Sequence, residues 1–392
     1  MKSFYSQYKD LAKKTYPEEW SSLQGIPFEK LLSPYNIKLP KIVYDRAQSS
    51  IQNIFKLAHT KTYNEQFAED RPSFLDVDTD NYSVLMAYDY HITSDYQPKL
   101  IEVNTNASGY ILSDLLYELK GGAPCIDKIK ESIISELKLF YKVPPISPLI
   151  VIIDEEIEQQ KMNFEFYVYK DLFEKWGFRC EVLDYKDLKY DESGNQLMTP
   201  SGQQVHLVYN RYCDFLFLDA SSQQLNQAYL NKAAAFSPQP KEYFLLADKN
   251  RLIDFSQSDY FNAFSHLDIN INAIQSSMIP TYHQNSFKDS EELWAKRKKL
   301  FFKPKRSHGG KGTYRGKSIS KKVFQQVIEN DFLAQEFVPA PVFMDPDGQD
   351  WKYDLRFYTY KDEIQLAVAR LYQGQVTNFS TDFGGFTTVE FI

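Results

Sequence analysis

Five consecutive aliphatic residues, 149–153, constrain this chain more than any other stretch. The run is far too short to cross a membrane. It reads as a strand buried on both faces, the habit of a parallel sheet. A helical pattern follows over 158–176 and stops at Gly177, and a second strand-like run covers 180–185. Strand, helix, strand is a parallel α/β unit with a right-handed crossover. Residues 191–202 read as a polar hairpin and 206–212 as the next strand. Ahead of this unit stands the stiff connector Val143-Pro-Pro-Ile-Ser-Pro148.

At 392 residues the chain has room for two or three domains. Residues 1–35 read as helical and polar, broken at Pro34. Pro40 suits the first turn of a helix reaching about His59. Strand-like runs at 83–92 and 99–104 flank a turn, and helices are expected over 108–121 and 126–141. From about Tyr243 helices alternate with strands at 299–304 and 332–337. The region closes on an antiparallel pair, 353–360 and 363–372, turning at Lys361-Asp362. The division expected is therefore 1–145, 146–242 and 243–392.

The net charge of −7 provides no basic field for nucleic acid. Cys125, Cys180 and Cys213 have neither CxxC pairing nor metal-ligand spacing, which argues against a disulfide framework and a zinc site. The first residues lack the apolar core of a signal peptide, so a cytoplasmic protein is expected.

Two stretches carry chemistry. In the first, a strand delivers Lys303 into a loop containing Gly309, Gly310 and Gly312, flanked by Lys305, Arg306, Lys311 and Arg315. Glycines let backbone N–H groups approach an anion, and cations neutralise it. The loop suits a polyphosphate, although it is not a Walker loop, because the GxxxxGK[ST] spacing is missing. Downstream, Asp354 and Arg356 share one face of a strand. In the second stretch, Glu102 and Asn104 share a strand face while Ile101 and Val103 turn to the core. Asp89 stands thirteen residues before Glu102, the span of a hairpin that sets the two side by side. Two carboxylates and an amide oxygen are hard ligands of the kind magnesium takes beside nucleotide phosphates.

With these residues in hand, the chain resembles the ATP-grasp ligases, such as D-alanine–D-alanine ligase, over residues 80–110 and 245–390. There the Asp, Glu-x-Asn motif lies near the C-terminus, whereas here it comes early and the remaining elements come after it in their usual order. That is the order of a circular permutation. Eukaryotic glutathione synthetase is similar in carrying Glu-x-Asn-Thr early and a Lys-Pro-x-Arg glycine loop late. The stretches Tyr209-Asn-Arg211 and Arg370-Leu-Tyr-Gln-Gly374 resemble a set of uncharacterised bacterial proteins.

The resemblance implies an α/β, permuted ATP-grasp fold with an inserted parallel α/β domain. It implies an ATP- and magnesium-dependent carboxylate–amine ligase working through an acyl phosphate on a small amino acid or peptide. One or two ions are allowed, with manganese able to substitute. Metal falls to Asp89, Glu102 and Asn104. The nucleotide falls to Lys249, Lys303, Lys305, Ser307, Gly309, Gly310, Gly312, Gln335, Glu336, Phe337, Val338, Asp354 and Asn378, the glycines forming a lid. Arg356 and Arg370 fall to the acyl phosphate, and Arg211, Gly384 and Gly385 to the substrate. Ser307 departs from the eukaryotic synthetase, which has an acidic metal ligand there. The rival readings are a phosphotransferase, a ligase acting on a protein, and a nucleotide-binding protein without turnover.

Overall fold

The computed structural model describes residues 2–68, 71–305 and 312–392. Its architecture is mixed α/β. The first strands are β1 (Leu32–Leu39), β2 (Met86–Ile92) and β3 (Pro98–Asn104). The middle contributes β4 (Leu149–Asp154), β5 (Arg179–Asp184), β6 (Lys189–Asp191), β7 (Gln196–Met198), β8 (Leu207–Asn210) and β9 (Ala235–Ser237). Then come β10 (Thr281–His283), β11 (Leu300–Pro304), β12 (Tyr314–Arg315) and β13 (Phe332–Glu336). The last four are β14 (Val342–Met344), β15 (Asp350–Tyr360), β16 (Glu363–Tyr372) and β17 (Gly385–Phe391).

A seven-stranded sheet joins the two ends of the chain in the order β1-β17-β16-β15-β2-β3, with β14 also on β15. Every pairing within it is antiparallel except β1 with β17. One face packs Tyr88, Tyr90, Leu355 and Phe357 with Ile51 and Ile54 of the helix Lys41–Ala58. The other packs Tyr358, Val368 and Phe386 with Tyr8 of the helix Lys2–Thr15 and Leu112 of the helix Tyr110–Leu119. Alternation along the strands sets these two cores on opposite faces.

The middle of the chain forms the parallel sheet β5-β4-β8-β9. Its run 149–153 is fully buried, as an aliphatic strand covered on both faces must be. The helix Asn163–Lys175 provides the crossover and packs Phe166, Tyr169 and Phe173 inward. A small antiparallel sheet, β10-β13-β11-β12, has its own core around Phe302, Phe324 and Val327.

The expectation for residues 1–35 needs correction. Only part of this segment is helical, and Pro34 lies within β1 instead of breaking a helix. A strand at the rim of a sheet tolerates proline because one side of its backbone needs no ladder partner. The pairing shifts register between Leu32 and Asn36, around that proline. The terminal strand β17 has no counterpart among the sequence expectations either. Gly385 permits it: its φ is 90°, and a Cβ there would lie 2.2 Å from the Leu31 backbone.

Candidate functional site

The site lies where the main sheet meets the small one. Register sets Asp89 opposite both Arg356 on β15 and Glu102 on β3, and Asp354 opposite Arg370. Arg356 donates from Nε to Asp89 Oδ1 and from Nη2 to Oδ2, both at 2.8 Å. Arg370 reaches Asp89 Oδ2 at 2.9 Å and grips Asp354 through two bonds of 2.7 and 2.9 Å. Thr377 donates to Asp354 as well, and Asn104 Nδ2 donates to Asp89 Oδ2 at 3.0 Å. The four charged residues are buried. Burial pushes the Asp89 carboxyl up, but Arg356 and Arg370 outweigh it and hold the group down at about 2. Two carboxylates and two guanidiniums cancel in charge, which is how such groups survive away from water.

Asp89 thus lies beside Glu102, as the hairpin spacing implies, but both its oxygens are taken by arginines. Among the described residues, Oδ2 accepts three hydrogen bonds and Oδ1 one. Glu102 and Asn104 differ. Among the described residues no hydrogen bond occupies the Glu102 carboxylate or Asn104 Oδ1, while Asn104 Nδ2 is used on Asp89. Hard oxygen donors of this kind fit magnesium.

Lys303, at the end of β11, donates to the Ile101 carbonyl at 2.8 Å. It therefore lies against β3 next to Glu102, although the two are 201 residues apart in sequence. Burial lowers its ammonium to about 8, with Glu102 opposing and Lys249 adding to the fall. Lys249 stands at the start of the helix Asn250–Ser256. These residues assemble into one cationic and carboxylate corner.

The remaining candidates are spread more widely. Gln335 is buried and donates to Thr281 Oγ1 at 3.3 Å, while Glu336 accepts from the Tyr282 hydroxyl at 3.1 Å. The Phe337 ring lies 5.8 Å from Phe301 with the Arg315 guanidinium 4.3 Å above it, and the Val338 carbonyl accepts from His91 at 2.9 Å. Lys305 is drawn to Asp331 at 2.6 Å. Gly312 has φ 72°, and Ser307, Gly309 and Gly310 lie outside the described residues. Asn378 organises its own loop through Gln373 and Ser380. A Cβ on Gly384 would come within 2.8 Å of the Leu371 carbonyl, so close packing accounts for that glycine.

Arg211 follows β8 and is buried between the rings of Phe166 and Tyr209. It donates to the Tyr209 hydroxyl at 3.1 Å and to Ser108 Oγ. Its Nε is buried without a partner. Thr377, Tyr358 and Ser108 join the site without a signal in the sequence. Each is a neutral side chain whose importance comes from a partner far away in the chain.

Residues 240–383 match the model of the tubulin-tyrosine ligase family, which is ATP-grasp-like. No curated protein matches the chain. Among solved structures, a gamma-glutamylcysteine synthetase-like protein of Methylobacillus flagellatus KT aligns at TM-score 0.48 and 8% identity, over 86% of this chain and 83% of its own. The ATP-grasp ligase PsnB complexed with a minimal precursor aligns at TM-score 0.33 and 12% identity, over 59% of this chain and 78% of its own. Structural likeness this weak says nothing about substrate or mechanism. The family match is confined to the C-terminal part of the chain.

Proposed function

We propose that this chain is an ATP- and magnesium-dependent ligase that joins a carboxylate to an amine through an acyl phosphate. One observation carries the reading: Lys303, within the segment matching the tubulin-tyrosine ligase family, bonds the backbone beside Glu102. On this reading a lysine for phosphate and a carboxylate for metal, distant in the chain, would share a corner, as a permuted ATP-grasp core would require. The three-part division of the chain, with the middle α/β part toward the substrate, belongs to the same proposal.

Magnesium would be held by Glu102 and Asn104 and would neutralise phosphate charge. Asp89 would join them once Arg356 or Arg370 turns to the phosphates. Lys249 and Lys303 hold the nucleotide phosphates, with Lys305, Ser307 and the glycines Gly309, Gly310 and Gly312 closing over them and excluding water. Gln335 to Val338 border the base, and Asp354, tied to Thr377, holds Arg370 in place. Arg356 and Arg370 stabilise charge as the carboxylate takes the phosphoryl group, a step that depends on positioning and electrostatics. Arg211 would serve a substrate carboxylate. The match to a family named for a ligase of tubulin favours a polypeptide as one substrate.

The test is phosphate release with ATP and magnesium across amino acids, short peptides and polyamines. Release that depends on both an acid and an amine is expected. ADP with a phosphorylated product and no free phosphate would make the chain a phosphotransferase instead.

A further inference from the structure

The helix Asn163–Lys175 belongs to the middle α/β part, yet one of its side chains reaches the loop behind the metal-motif strand. Glu165 is fully buried in its first turn. Its Oε1 accepts the Gly109 N–H at 2.8 Å. Gly109 precedes the helix Tyr110–Leu119 with φ 94°, a left-handed conformation that glycine adopts without strain. A Cβ at Gly109 would lie 2.2 Å from the Phe386 ring. Gly109 is thus confined between β17 and Glu165.

The loop 105–109 starts directly after Asn104 and is tied at several points. Ala107 N–H donates to the Leu85 carbonyl at 3.0 Å, and Asn106 Nδ2 to the Arg211 carbonyl at 2.9 Å. The Tyr358 hydroxyl donates to the Ser108 carbonyl at 2.7 Å. The Glu165 bond stands out because its other oxygen, Oε2, is buried with no partner. Burial pushes this carboxyl up to about 7, with Arg211 and the Gly109 N–H pulling the other way. Its charge is balanced in part by the buried Arg211 guanidinium, and the oxygen turned to Gly109 ties that buried pair to the loop.

We propose that Glu165 is a positioning residue for the nucleotide–metal corner: by fixing Gly109 it sets the 105–109 loop and, through it, Glu102 and Asn104 on β3. The inference rests on the assignment of Glu102 and Lys303 to a nucleotide site. The same bond couples the middle part, which carries Arg211, to the metal motif.

Glu165→Gln keeps an acceptor oxygen for Gly109, whereas Glu165→Leu fills the space without one. In the ligand-free protein, amide hydrogen exchange over 105–110 should be unchanged in Glu165→Gln. In Glu165→Leu it should accelerate about tenfold, the worth of one hydrogen bond, while β15 and β16 stay protected in both. The magnesium concentration giving half-maximal phosphate release should rise about tenfold in Glu165→Leu, with a smaller change in kcat, and recover in Glu165→Gln. Wild-type exchange in the Leu variant would overturn the inference, as would a Gln variant that exchanges as fast as Leu. If the unaltered protein releases no phosphate, the nucleotide reading fails, and the exchange measurement still decides the role of Glu165.

Discussion

Asp89 and Glu102 face each other across the β2–β3 pair, yet their surroundings differ. Asp89 is enclosed by Arg356, Arg370 and Asn104. Glu102 stands at the rim beside Lys303, with no hydrogen bond among the described residues. One carboxylate is satisfied by the fold, and the other, on the proposed reading, serves a ligand. The difference teaches that acidity and spacing identify a motif but do not say which of its members is open to a cation.

This contrast can be broken by mutation. Removing one partner from a buried ion pair costs about 3–5 kcal/mol, so Arg356→Ala should lower unfolding stability by that order in denaturant titration. Glu102→Gln should move stability by no more than about 0.5 kcal/mol, as at a site away from such networks. Similar losses in both variants would erase the distinction.

Lys303→Met sharpens the comparison from the ligand side. If Lys303 serves phosphate as proposed, its loss reduces magnesium- and ATP-dependent turnover about 100-fold or more. The unfolding midpoint should hold or rise, because a desolvated ammonium has been removed. A fallen midpoint with intact turnover would mean that Lys303 serves the fold.

Acid titration probes the enclosed carboxylate. The Asp89 carboxyl is held below its unfolded value, at about 2. The stability it contributes is therefore present above about pH 4 and lost as pH falls through about 2, on the order of 2 kcal/mol by linkage. Unfolding of Asp89→Asn should lack this acid limb. A smaller effect is expected at the rim: Lys303 loses its proton near pH 8 in the free protein, so ATP affinity should weaken as pH rises through 8. Bound phosphate favours the charged lysine and moves that midpoint upward.

Much of this architecture was legible in the sequence. Residues 149–153 declared the parallel sheet because an all-aliphatic strand has few other uses, and Glu102 and Asn104 announced themselves by a period of two. β1 and β17 were hidden, one by a proline that reads as a breaker and the other by a Gly-Gly start that reads as a loop. The enclosure of Asp89 was also hidden. It depends on Arg356 and Arg370 arriving from strands more than 260 residues away, and no local pattern encodes which oxygens they take. Glu165 has no signal in the local sequence, because its hydrogen-bond partner Gly109 lies 56 residues away.

On the proposed reading, Glu102 and Lys303 form one nucleotide–metal corner. Calorimetric titration of ATP into the wild-type chain and into Glu102→Gln, each with and without magnesium, tests it most directly. Magnesium should strengthen ATP binding to the wild type, and Glu102→Gln should lose this enhancement with its thermal midpoint unchanged. Equal magnesium-dependent binding by the two proteins would contradict it.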